Sequence, residues 1–269
     1  MALDPSLLLF VPGDRPDRFA KALATAATGI ILDLEDAVAL ERKPRARDAV
    51  RSFLDVTTDL ARLCVRISPA DTADGRDDLA MLAAAPHAAA VMIPKVGSVG
   101  DLAQVTRAVG EMPQIALIES ARGVANCDTI AASPHVVALA FGPYDLAAEL
   151  GGESDADVML PHRARLLVAA RAAGRFAIDG PSREYGDPTI PARDATHAHR
   201  LGYDGKLLIH PAQLAPVRGA FMPSAEQLAY ARRIVEAAAH RSPAVLDGTM
   251  IDTPILVAAQ RIVRRAAIA

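Results

Sequence analysis

The chain has 269 residues, 51% of them apolar, and a formal charge of −3 without any block of like charge. That balance excludes a polyanion-binding surface, so nucleic acid is not an expected partner. No apolar run nears the roughly 18 residues of a membrane span, and the start "MALDPSLLLFVPG" lacks the basic opening of a secretory signal. Cys64 opens a strand-like run and Cys127 lies in a helical stretch, which implies buried reduced thiols and neither a disulfide framework nor a zinc site. The expectation is a soluble, cytoplasmic α/β protein without a membrane or nucleic-acid partner.

Eight short apolar runs follow one another: "LLLFV" (7–11), "GIILDL" (29–34), "LCVRI" (63–67), "AAVMIP" (89–94), "IALIE" (115–119), "VVALAF" (136–141), "RFAID" (175–179) and "KLLIH" (206–210). Between most of them lie helical stretches. "PDRFAKALATAA" and "VGDLAQVTRAVGEM" carry apolar residues three and four apart, and Pro16 suits the first turn of a helix. Continuous apolar strands alternating with helices predict a parallel sheet, and eight of them predict a (β/α)8 TIM barrel more than an open doubly wound sheet. The first strand runs into "VPGDRPDR" with no G-x-G-x-x-G, which also disfavours a dinucleotide fold. After the eighth strand, Ser224 and Gln227 have the spacing of a capping box before "AEQLAYARRIVEAAAH". A turn, a short polar-apolar stretch and a last helix follow. The predicted organisation is a barrel domain over 1–221 and a C-terminal helical extension over 222–269, a lid or an oligomer arm.

In such a barrel the site lies at the C-terminal ends of the strands. Asp33, Glu35, Asp36, Arg66, Lys95, Glu119, Asp145, Asp179 and His210 all fall there. Unpaired carboxylates are costly to desolvate, so this gathering needs a chemical reason. Glu119 and Asp145, from adjacent strand ends, suit Mg²⁺, which takes one or two carboxylates and fills its other positions with water and substrate. A substrate with neighbouring carboxylate and keto oxygens would complete that set. Arg66, on a nearby strand, is suited to bind a carboxylate or to neutralise a developing enolate. Taken singly, Glu119 or Asp145 is equally well read as a helix cap.

Asp33, Glu35 and Asp36 alternate along or leave a strand, so they cannot all face one site. One suits a water bound to the metal, and another suits an arginine. Lys95 is read as a salt-bridge partner, because neighbouring acids would hold its pKa too high for Schiff-base chemistry. His210 is read as making a buried hydrogen bond, and Asp179 as a turn residue before Gly180–Pro181 or a site residue. Arg15, Lys21 and Arg45 are phosphate contacts or part of a solvated helix face.

The motifs "FVPGDRPDRFAKA", "IILDLEDAV", "KPRAR", "VRISP", "MIPKV", "ALIESARGV", "GYDGKLLIHPAQ" and "LDGTMID" stand in one order. In these the chain resembles the citrate lyase beta subunit-like proteins of the HpcH/HpaI aldolase and citrate lyase family, kin of the malyl-CoA and citramalyl-CoA lyases. The resemblance runs over about residues 7–265. It implies a magnesium-dependent carbon–carbon lyase on a (β/α)8 barrel, usually a homotrimer. Such an enzyme cleaves or forms a β-hydroxyacyl-CoA, giving an acyl-CoA such as acetyl-CoA and a small 2-oxo acid such as glyoxylate or pyruvate.

By position in the motifs, the resemblance implies Glu119 and Asp145 as metal ligands, with Glu119 also at the substrate. Arg66 is the implied substrate- and enolate-binding arginine, and Glu35 and Asp36 lie beside the metal. "LDGTMID" matches a lid that folds over a neighbouring subunit's site, with Asp247 as acid/base. One segment departs from the pattern: "GPSREYGDPTIPARDATHAHRLG", after the seventh strand, is rich in Pro and Gly where relatives carry acids and aromatics. The alternatives are a subunit acting on carrier-linked acyl groups, a thioesterase, an aldolase for free hydroxy-oxo acids, and a non-catalytic binding subunit.

Overall fold

The structure is a computed structural model that describes residues 3–85, 88–240 and 244–268. Eight parallel strands, β1 (Leu7–Pro12), β2 (Gly29–Asp33), β3 (Leu63–Arg66), β4 (Ala90–Ile93), β5 (Gln114–Ile118), β6 (Val136–Phe141), β7 (Phe176–Asp179) and β8 (Gly205–Leu208), close into a barrel in sequence order. β8 pairs with β1 through Leu7–Lys206 and its neighbours, which seals the cylinder. Each predicted strand lies within a residue or two of its expected place. The strands are buried on both faces because helices cover the outside and side chains fill the inside, which is why their sequences read as apolar runs and not as alternations.

Strand alternation decides which residues reach the mouth of the barrel. Leu8, Ile31, Cys64, Ala90, Met92, Ile115, Leu117, Ala138, Ala140, Ile178 and Leu207 form the interior cluster. Side chains two residues apart share a face. Stepping two residues toward the C-terminal end from Leu8, Ile31, Cys64 and Leu117 therefore reaches Phe10, Asp33, Arg66 and Glu119. The same step from Ile178 does not reach Asp179, which with Lys206 points the other way, toward the helices.

The chain divides into two compact units, Met1–Val217 and Arg218–Ala269, within the helix Leu214–Phe221. In the second unit the helices Ala225–His240 and Thr253–Ile268 pack through Ala231, Ile234 and Ala259, joined by Ile251. Gln227 N donates to Ser224 Oγ at 3.0 Å and Ser224 N to Gln227 Oε1 at 2.9 Å, the capping box read from the sequence. Between these helices β9 (Ala244–Leu246) and β10 (Thr249–Ile251) form an antiparallel hairpin. Its two-residue loop is Asp247–Gly248 with φ of 49° and 79°. Both values are positive, as a type I′ turn requires, and Asp-Gly is a dipeptide that tolerates them. The sequence analysis reads here only a turn and a short polar-apolar stretch, although the dipeptide signals the hairpin. Among the described residues no helix is long and apolar enough to cross a membrane.

Candidate active site

At the mouth of the barrel a cavity of about 340 Å³ is lined by Phe10, Asp33, Asp36, Arg66, Glu119 and Asp145, with Phe141–Tyr144, Pro181 and Ile209 along one side. Five of the predicted polar residues thus converge. Glu119 continues β5 beyond Ile118 and is buried. Its Oε1 accepts a hydrogen bond from the backbone N of Lys95 at 2.8 Å. Lys95 sits at φ 53°, a left-handed conformation that is unfavourable for a lysine and turns its N–H toward the acid. On the other side Gly142 presses against Glu119: a Cβ there would lie 2.4 Å from Glu119 Cβ and 2.7 Å from its Oε2. The carboxylate is held from both flanks.

Arg66 is fixed as firmly. Nε donates to Asp33 Oδ1 at 2.7 Å and Nη2 to Asp33 Oδ2 at 2.6 Å, the two-pronged arrangement that suits a guanidinium and a carboxylate. Nη1 lies 2.9 Å from Glu35 Oε2, an ion pair without a directed hydrogen bond, and the guanidinium stands 4.6 Å from the Phe10 ring centroid. A guanidinium has five N–H donors, so some remain for a ligand. Glu35 is clamped a second time, by Lys95 Nζ at 2.8 Å from Oε1. Lys95 is therefore the salt-bridge partner expected of it. Burial works against its charge, but Glu35, with Glu119 and Asp36 beyond, holds its pKa above the ordinary lysine value, which is unsuited to a nucleophile.

Asp33 also accepts from the backbone N of Glu35 at 3.0 Å and of Ala37 at 3.3 Å, shaping the loop that carries Glu35. Asp36 leaves this cluster for solvent, 4.0 Å from Arg66. Asp145, in the first turn of the helix Pro143–Leu150, has no hydrogen bond or ion pair among the described residues.

The electrostatics are those of a site short of positive charge. Burial pushes the Glu119 carboxyl up to about 8, with Glu35 and Asp145 adding to the shift against the opposing help of Lys95. Burial likewise raises Glu35 above its ordinary value despite Arg66. Two carboxylates facing one cavity, one of them reluctant to ionise, fit a divalent cation that would offset both. Among the described residues no group of three or more His, Cys, Asp or Glu side chains is arranged to hold a metal. The cavity lining contains neither His nor Cys, so the donor set is oxygen only and fits Mg²⁺, which needs one or two carboxylates, better than zinc.

Three expectations are placed elsewhere. His210 is exposed and not buried: its Nδ1 accepts from Ala212 N at 3.2 Å and its ring stacks on Tyr185 at 4.4 Å, so it caps a turn. Asp179 is a buried anchor outside the barrel, paired with Lys206 Nζ at 2.7 Å and with Arg163 at 2.9 Å. Asp247 lies in the hairpin of the second unit, where its Oδ1 accepts from Arg233 at 2.8 Å. Sequence reasoning also passed over residues that build the site. Lys43 is buried with Nζ on Leu34 O at 2.6 Å and Ser68 Oγ at 3.0 Å, bracing the Glu35 loop, and in a chain with four lysines its place in "KPRAR" is the signal. Phe10 and Gly142 carry no such signal, because their roles exist only once the strands have closed into the barrel.

Residues 6–211 match the family model described as HpcH/HpaI aldolase/citrate lyase. The citrate lyase subunit beta-like protein of Mycobacterium tuberculosis (strain ATCC 25618 / H37Rv) is 40% identical over 266 residues, covering 96% of this chain and 94% of that protein. The (3S)-malyl-CoA thioesterase of Cereibacter sphaeroides (strain ATCC 17025 / ATH 2.4.3) is 36% identical, covering 96% and 93%. Among solved structures, CitE from M. tuberculosis in complex with magnesium, acetoacetate and coenzyme A superposes with a TM-score of 0.85 at 39% identity, covering 99% of this chain and all of that one.

Proposed function

The chain belongs to the HpcH/HpaI aldolase/citrate lyase family, and from that premise we propose that it is a Mg²⁺-dependent carbon–carbon lyase. Its substrate in this reading is a short β-hydroxyacyl-CoA, cleaved to or formed from an acyl-CoA such as acetyl-CoA and a small 2-oxo acid such as glyoxylate or pyruvate. The observation that carries the proposal is the shared cavity in which Glu119 and Asp145 face Arg66. The CitE structure, which holds magnesium, acetoacetate and coenzyme A, supports the cation and the thioester of this reading.

Glu119 and Asp145 would hold the cation, which when bound supplies Lewis-acid polarisation of the oxo-acid oxygens. The hydroxyl proton passes to water, the C–C bond breaks, and its electron pair becomes a thioester enolate as the oxo group forms; the acid that later protonates the enolate carbon regains its proton from water. Arg66, already oriented by Asp33, directs its remaining donors at the developing oxyanion, so little reorganisation is needed as the charge appears. Glu35 and Asp36 stand beside the metal ligands, with Glu35 held by Arg66 and Lys95. Protonation of the enolate carbon completes the acyl-CoA. We assign that step to Asp247, supplied by the C-terminal extension acting as a lid on a neighbouring subunit of a homotrimer.

A second reading, hydrolysis of the thioester, is favoured by the 36% identity to a malyl-CoA thioesterase. One experiment separates the two. Malyl-CoA, citramalyl-CoA and β-methylmalyl-CoA are each incubated with the protein in Mg²⁺ and in EDTA, and acyl-CoA, 2-oxo acid and free CoA thiol are measured. The expected result is acyl-CoA and 2-oxo acid in equal amounts, stopped by EDTA and by Glu119→Ala in a protein that still melts cooperatively. Free thiol with the intact hydroxy acid would establish the thioesterase instead, and no release of either kind would remove the enzyme reading.

A further inference from the structure

Beside the active-site cavity lies a larger cleft of about 790 Å³, on the β6–β7 side of the same barrel. Phe141, Pro143, Tyr144 and Pro181 line both spaces, so the two are separated by a single layer of side chains. Phe141 is fully buried and the two prolines are rigid, which leaves Tyr144 as the large rotatable member of that layer. It is held at both ends. Its OH donates to Pro181 O at 2.9 Å, tying the start of the Pro143–Leu150 helix to the loop after β7. Its ring lies 4.0 Å from the guanidinium carbon of Arg183, which lines the larger cleft only. Pro181 and Arg183 come from the Pro- and Gly-rich segment that follows β7. Gln213 pins that segment, donating from Nε2 to Ser182 O at 2.7 Å and to Glu184 O at 2.9 Å.

We infer that Tyr144, backed by Arg183, is the specificity-determining partition that limits the 2-oxo acid to a small substituent. The inference rests on the lyase reading above. A cavity of 340 Å³ that admits a hydrated cation, an oxo acid and the end of a thioester has little space left for a side chain on the oxo acid. Removing the phenol joins it to the neighbouring cleft and bares Arg183 to whatever extends through the opening. The opened site therefore selects for a 2-oxo acid carrying a second, distal carboxylate, because that group gains a charge-assisted contact with the guanidinium.

The test is calorimetric binding of pyruvate, 2-oxobutyrate and 2-oxoglutarate in saturating Mg²⁺ to the wild-type protein, Tyr144→Phe, Tyr144→Ala, Tyr144→Val and the double variant Tyr144→Ala/Arg183→Ala. The wild type and Tyr144→Phe, which keeps the ring, should prefer pyruvate. Tyr144→Ala should raise the affinity for 2-oxoglutarate relative to pyruvate by about tenfold or more, a factor within reach of one pocket contact. The double variant should lose that gain yet keep an improved ratio for uncharged 2-oxobutyrate. Tyr144→Val supplies the same opening should the alanine variant not fold. If pyruvate binds the wild type and the order of the three acids is unchanged in a folded Tyr144→Ala or Tyr144→Val protein, the partition is overturned alone. Failure of the wild type to bind any of them with Mg²⁺ present overturns the lyase reading and the partition with it.

Discussion

Glu119 is a buried carboxyl group whose surroundings oppose its charge. Its environment moves its pKa from an ordinary 4.5 to about 8, burial first and neighbouring acids second. The sign of the consequence follows from linkage. Between those two values the folded protein keeps the proton that the unfolded chain has released, so stability declines as pH rises through this window and levels off above it. Glu119→Gln abolishes the ionisation. Measured without divalent cations, its melting temperature should exceed that of the wild type by a margin that grows from pH 4.5 to about 8. At about 1.4 kcal/mol per pKa unit the margin amounts to a few kcal/mol. Mg²⁺ should close the gap at the alkaline end, because a cation between Glu119 and Asp145 removes the penalty on the carboxylate. A gap indifferent to pH would overturn the description of Glu119 as a buried acid awaiting a cation. Arg66 shows the complementary logic: its charge is compensated by Asp33 and Glu35 before any ligand arrives, which makes it a positioned donor rather than a free cation.

The elements act through alternation and close approach. Because side chains two apart share a strand face, the barrel's interior layer leads straight up to Asp33, Arg66 and Glu119. Their convergence therefore follows from strand register and requires no special loop. The ends of two further strands refine it. The residue after Pro94 takes a left-handed turn to offer an N–H, and the residue after Phe141 has no side chain at all. Gly142→Ala tests the latter. With φ of −107° the backbone tolerates alanine, so the effect is steric: the methyl would occupy space now filled by Glu119. The variant should lose about 1–3 kcal/mol of stability, the usual cost of overpacking, and its Mg²⁺ affinity by calorimetry should fall at least tenfold. Wild-type Mg²⁺ affinity in Gly142→Ala would show that Glu119 does not need its present position to bind the cation.

At the scale of the whole molecule, the barrel carries the groups proposed to bind the metal and stabilise the enolate, while Asp247 belongs to the second unit, on the tip of its hairpin. Asp247→Asn is the informative change, since asparagine also accepts positive φ and preserves the turn. Its ion pair with Arg233 is half-exposed on both sides, so the melting temperature should hardly move. Turnover should fall by about 10²–10⁴, the usual contribution of a general acid, while pyruvate and Mg²⁺ still bind. Unchanged turnover would remove Asp247 from the mechanism.

Much of this was legible beforehand. Runs such as Val136–Phe141 declare buried parallel strands, their number declares the barrel, and an acid following the apolar run Ile115–Ile118 marks the end where chemistry occurs, because apolar periodicity and charge are properties of the chain itself. What those properties leave open is which way a given acid points and what stands opposite it. Asp179 and Glu119 look alike in sequence, each closing an apolar run, yet one points outward to Arg163 and Lys206 and the other inward to the cavity. The difference is one residue of strand phase. Likewise Tyr144 meets Pro181 and Gly142 meets Glu119 only across neighbouring strand ends, and Phe10 meets Arg66 from two strands away. Contacts between residues distant in the chain have no periodicity to announce them, so closure of the barrel had to decide them.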